Sequence, residues 1–148
     1  MPTLDPHGDY LTRVWKEHVY PLAEKMGFTM NLPPVQPRTR LAHAAAKWAA
    51  GKGSFAAFNR ALFKAFFQDG LDIGKIKTLV QIAEKLDLAP NELVSDSQMN
   101  SYVASVLHDE EMARQANVKA VPAYVADGKI LAAGVQSLAQ LQQLLSLP

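Results

Sequence analysis

Apolar positions recur at spacings of three and four through most of the 148 residues, then change period near the C-terminal end. The first spacing marks amphipathic helices; alternation over four or five residues marks a strand. "GDYLTRVWKEHVYPLAEKMG" places Leu11, Val14, Trp15 and Val19 on one helical face, with Asp9 as its N-cap. Pro21 lacks the N–H that the preceding turn needs, so it kinks this helix or opens a second short one, and Gly27 fits a C-cap. "FTMNLPPVQPR", with three prolines, reads as extended loop. Thr39 caps the alanine-rich "TRLAHAAAKWAAGKG", which ends at Gly51 or Gly53. Ser54 caps the next helix, where Phe55, Phe58, Leu62 and Phe66 share a face and Gly70 closes the segment. A further amphipathic helix uses Ile76, Leu79, Val80, Ala83 and Leu86. "APNELVSDSQ" holds one short turn of helix, and "NSYVASVLHDEEMARQANV" a long helix with Tyr102, Val103, Val106, Leu107 and Met112 as its apolar residues.

The period then becomes two. "VPAYV" and "KILAA" are strands joined around Asp127-Gly128, a pair suited to a type I′ turn because both central residues take positive φ. Gly134 ends the second strand and Ser137 caps a last helix, "SLAQLQQLLSL". The expectation is six or seven helices, one antiparallel hairpin and a final helix. A hairpin alone is marginal in water and needs a further partner.

Composition narrows the function. An apolar fraction of 49% with a net charge of +1 gives no basic patch for nucleic acid or an anionic membrane surface. No apolar run is long enough to span a bilayer, and "MPTLDPHGDY" has no signal-like n- and h-regions, so a cytoplasmic location is expected. There is no cysteine, which removes disulfides, thiolate ligands and thiol-based mechanisms together. No cofactor is expected. His108 beside Asp109, Glu110 and Glu111 does not make a metal site, since consecutive helical residues point apart. His18 beside Glu17 fails for the same reason, and His7 has no partner motif. His43 reads as a buried or half-buried helix-packing residue. The cluster Phe55, Phe58, Phe63, Phe66 and Phe67 reads as core rather than as the wall of a pocket. "GKGS" at 51–54 lacks the preceding strand and glycine spacing of a phosphate loop.

One residue remains odd: Pro122 stands at the head of the first strand, where an N–H donor belongs. The segment "NVKAVPAYVADGKILAAGVQSLAQLQQLL" resembles the C-terminal part of the DsbA-like, FrnE-type branch of the thioredoxin superfamily. There a helix leads through a Val-Pro loop into an antiparallel hairpin, a Gly-Ala-Gln-like turn and a last helix. Here Val121-Pro122 and Gly134-Val135-Gln136 occupy those places. "TRLAHAAAKWA", "RALFKAFFQDGLDIGKIKTLVQIAEKLDL" and "LDPHGDYL" are similar to further family stretches in the same order.

The resemblance implies a mainly α chain with one C-terminal hairpin (α+β), an incomplete thioredoxin-like fold of DsbA type with its helical insertion. It implies a single domain over 1–148, with about 1–115 helical insertion and about 116–148 proline loop, hairpin and terminal helix. Pro122 becomes the family's cis-proline, and Val121 with Pro122 the backbone edge that pairs an extended peptide or protein partner by strand addition. Family members start with a strand, a Cys-x-x-Cys helix and a second strand; glutathione-dependent relatives, kappa transferases and 2-hydroxychromene-2-carboxylate isomerases, carry serine for the first cysteine. None of these elements is found here. The expectation is a redox-inactive homologue that forms a two-fold homodimer, with residual peptide or protein binding and no catalytic residues. The alternatives are one part of such an enzyme whose βαβ unit is supplied elsewhere, and a structural homodimer.

Overall fold

Why the helix over Arg40–Gly51 is so rich in alanine is plain from what it touches. In the computed structural model, which describes residue 9 and residues 11–127 and 129–146, α2 (Arg40–Gly51) buries Ala42, Ala44, Ala45, Ala46, Trp48 and Ala49. Small side chains let the neighbouring α3 (Phe55–Phe67) and α4 (Ile76–Glu84) approach closely. Phe58 and Leu62 of α3, Leu79, Ile82 and Ala83 of α4, and Leu93 complete a dry centre. Met99 and Val106 from α5 (Asp96–Gln115) join it. Trp48 meets Phe58 edge to face at 6.0 Å, and its indole N–H donates to Glu92 Oε2 at 2.7 Å. Glu92 ends a 3₁₀ turn at Pro90–Glu92 and also accepts from Lys52 Nζ at 2.7 Å.

The Lys52 ammonium, then the Trp48 N–H, hold the Glu92 carboxyl below the usual carboxylate range. A folded-state pKa below the unfolded one gives stability that is present above the unfolded value, about 4.3, and lost as pH falls through the folded one. Glu92→Gln is therefore expected to flatten the acid side of the stability–pH curve between about pH 5 and 3, read as urea midpoints. Parallel acid limbs in the two proteins would count against this role.

The first helical segment is divided. Leu11–Val19 winds as a π-helix and α1 (Tyr20–Lys25) follows with Pro21 in its first turn, where a missing N–H costs nothing. Trp15 is buried against Tyr20 and Phe67, at centroid distances of 5.6 and 6.2 Å. The proline loop after Gly27 is pinned to the end of α3: Asn31 N–H donates to the Phe67 carbonyl at 2.6 Å and its side chain to that of Gln68 at 2.8 Å.

Four helices stop in one way. After α1, α2, α4 and α5 a residue turns left-handed: Gly27, Gly53, Asp87 and Asn117, with φ of 72, 72, 56 and 57°. The next N–H then reaches back five residues, as Phe28 does to Ala23 and Ser54 to Ala49, both at 2.8 Å. The helix starts differ from expectation. Thr39 and Ser54 occupy N-cap positions, but neither side chain makes a cap hydrogen bond. Their backbones (ψ of −4 and 16°) are already turned toward helix, away from the extended geometry that aims a cap oxygen at the free N–H groups. The helix expected from Asn100 begins earlier, at Asp96.

The chain divides into two units, 1–106 and 107–148. The second contains the end of α5, β1 (Ala123–Ala126), β2 (Lys129–Ala133) and α6 (Leu138–Leu145). The strands are antiparallel, with Tyr124 opposite Ala132 and Val125 opposite Ile130, so Leu131 is the extra residue of a bulge. Asp127 has φ 49°, as a type I′ turn requires; its partner Gly128 lies outside the described residues, as does His7. Ser137, extended at ψ 159°, does cap α6 through a reciprocal box with Gln140. Apart from Lys129, whose side chain is not described, none of the described residues from 107 to 146 is buried, Leu107 and Met112 included, although both were expected on an apolar face.

Candidate functional site

Val121 and Pro122 lie at the head of β1, joined by a cis peptide bond. The Pro122 carbonyl accepts from Gly134 N–H at 2.8 Å, so that oxygen is used within the hairpin. The ring removes the N–H of the same residue. Any strand laid along this edge must find its partners on the neighbouring residues, and Val121 is 83% exposed. Gln136 ties the far side of the hairpin by donating to the carbonyls of Ala133 and Gly134, both at 3.1 Å. Val135 is exposed beside it.

The helical unit carries a second feature that the sequence reading assigned to core. Thr39, Ala42 and His43 at the start of α2 face Asn59 and Leu62 of α3 across a pocket of about 210 Å³. Phe63, Phe66, Phe67 and Ile73 complete its lining. Ile73 is set there by a tight loop in which Gly74 N–H donates to Asp72 Oδ1 at 2.9 Å. A Cβ at Gly74 would stand 3.1 Å from the Arg38 carbonyl, so this loop and the one leading into α2 lie close together. The phenylalanines form one aromatic group. Phe66 meets Phe67 edge to face at 4.8 Å, and Phe63 stacks on Phe67 at 6.1 Å. Of the five expected in the core, Phe58 alone is fully buried, while Phe63 is 59% exposed and Phe55 is exposed too. His43 is exposed on α2 rather than buried, because Ala42 and Ala44 to Ala46 take the inward directions of that turn. On the other side of the Phe63–Phe67 pair lies a wider groove of about 380 Å³, edged by Phe28, Met30, Arg60 and Lys64.

His18 and His108 are exposed, and among the described residues no three His, Asp or Glu side chains are placed to hold a metal. Around His108 the acidic residues serve local pairing: Glu111 binds Arg114 at 2.6 Å, which lowers its carboxyl below the usual range. Asn59 and Thr39 were missed in the sequence. The available signal was an amide one helical turn before Phe63 in an otherwise apolar stripe.

Helices packed on an alanine-rich α2, followed by a proline-headed hairpin and a capped helix, define a DsbA-type, thioredoxin-like arrangement. Residues 10–146 match the family model of DSBA-like thioredoxin domains, and the chain belongs to that family. It is also 30% identical over 131 residues to the uncharacterized protein YwbO of Bacillus subtilis (strain 168), an alignment covering 84% of this chain. That match spans 64% of the length of YwbO. No helix among the described residues is long and apolar enough to cross a membrane.

Proposed function

We propose that these 148 residues form a FrnE-type DsbA homologue without thiol chemistry of its own, whose remaining capacity is to hold an extended polypeptide at the head of β1, where Val121 offers the backbone and Pro122 sets its position. The observation that carries it is the pairing of an intact, exposed proline-headed edge with a complete lack of cysteine. Thiol–disulfide exchange needs a thiolate to attack. Strand addition needs only backbone groups and an open edge. In an insulin-reduction assay with dithiothreitol the chain is therefore expected to run at the uncatalysed rate. Turnover well above that rate would overturn the reading.

A second reading has an observation of its own. The match spans 64% of YwbO, and no residue of the 107–148 unit whose side chain is described is buried. Both features support a chain that works as one part of a disulfide oxidoreductase or glutathione-dependent enzyme, whose catalytic βαβ unit is missing from these 148 residues or provided by another polypeptide. Reading the genomic DNA around the coding segment separates the two: an in-frame strand, Cys-x-x-Cys and helix upstream favours the second.

A further inference from the structure

We propose that the 210 Å³ pocket between α2 and α3 binds a small uncharged aromatic molecule of one or two rings that carries a single N–H or O–H group. Its size sets the first limit. A cavity of about 150 Å³ takes benzene, and drug-sized ligands occupy roughly 300 Å³ or more, so this space suits a ring system in between.

The walls set the second limit. Phe66 and Phe67 stand edge to face while Phe63 and Phe67 lie nearly parallel, 10° apart, so the lining carries aromatic rings in two orientations. Planar aromatic guests gain from such surroundings beyond the area they bury, whereas saturated rings of the same size do not. Polarity sets the third. The polar groups of the lining are the Thr39 hydroxyl, the His43 imidazole and the Asn59 amide; none of the lining residues is Asp, Glu, Lys or Arg. A guest carboxylate or ammonium would lose water without gaining an ion pair, while a single N–H or O–H finds an acceptor among these three. Asn59 and Phe63 lie one helical turn apart on α3, so a guest resting on the ring has the amide within the same stripe.

The test is an amide-shift titration of the ¹⁵N-labelled full chain with indole, cyclohexanol and benzoate as separate probes. Indole is expected to give saturable shifts centred on residues 39–43, 59–67 and 73, with half-saturation at about 1 mM or below. Cyclohexanol and benzoate are expected to bind at least roughly three- to tenfold more weakly. Phe63→Ala should weaken indole by a similar factor, and its exposure makes the change tolerable to the fold. Should that variant lose its native spectrum, Phe63→Leu removes the ring while keeping apolar bulk and carries the same expectation. Failure of indole to saturate by several millimolar, equal binding of cyclohexanol or benzoate, shifts centred elsewhere, or undiminished indole binding by the folded Phe63 variant would each overturn the proposal. None of these outcomes depends on the peptide-edge reading, which concerns the 107–148 unit.

Discussion

Trp48→Ala is expected to lower the unfolding free energy by about 3–5 kcal/mol, seen as a large fall in the urea midpoint at unchanged slope. Trp48 is fully buried at the centre of the helical unit, where α2, α3 and the 3₁₀ turn meet. The substitution removes a large apolar ring and leaves a void that the surrounding alanines are too short to fill. It also takes a donor from Glu92, whose other bond, to Lys52, is more exposed. Native domains commonly hold only about 5–15 kcal/mol in all, so this single change consumes a large share. Trp48→Phe keeps ring volume but not the N–H, and should retain most of the stability. A loss below about 1 kcal/mol for the alanine variant would mean that Trp48 does not organise the core.

The second large effect is on mass. We propose that two copies associate through the 107–148 unit, so that light scattering after size exclusion returns two chains rather than one of 16.2 kDa. Val121, Val125, Val135, Leu138 and Leu145 are exposed there. Exposed apolar groups gathered near a two-stranded sheet with free edges invite pairing. A second copy of the same strand is the simplest extended polypeptide to offer, and two-fold pairing is the commonest closed arrangement. Val125→Asp places a charge on the hairpin and should restore the single-chain mass while the helical circular dichroism stays as it was. A single-chain mass for the unaltered protein across a wide dilution range rules the association out.

How much of this was legible in advance depended on whether the signal was local. The hairpin and α6 were readable because Asp127-Gly128 and Ser137 with Gln140 determine backbone geometry within four residues. The same holds for Pro21 at the start of α1 and for the left-handed stop at Gly53. Thr39 and Ser54 looked like Ser137 by residue type, but the incoming chain direction gave them helical ψ, and type alone does not carry that information. The aromatic stripe on α3 failed for another reason. Periodicity says which residues share a face; it does not say whether a neighbour covers that face. Phe58 is fully buried and Leu62 and Phe66 pack with the core, yet Leu62, Phe63, Phe66 and Phe67 also wall an opening that no neighbour fills. The DsbA-type lineage was legible from motif order. The pocket was not, since it exists only where two loops distant in sequence set Thr39 and Ile73 beside one another.

The four left-handed stops have a consequence for how this chain tolerates change. At Gly27, Gly53, Asp87 and Asn117 the turn out of the helix hangs on the handedness of one residue, and at Gly27 and Gly53 a Cβ would meet nothing within 4 Å. Their vocabulary is accordingly short: glycine, asparagine and aspartate enter the left-handed region at little cost, and β-branched or bulky residues do not. Such sites punctuate the chain, ending four of its helices through local backbone geometry. Drift can rewrite the exposed faces between them freely, provided the punctuation stays in place.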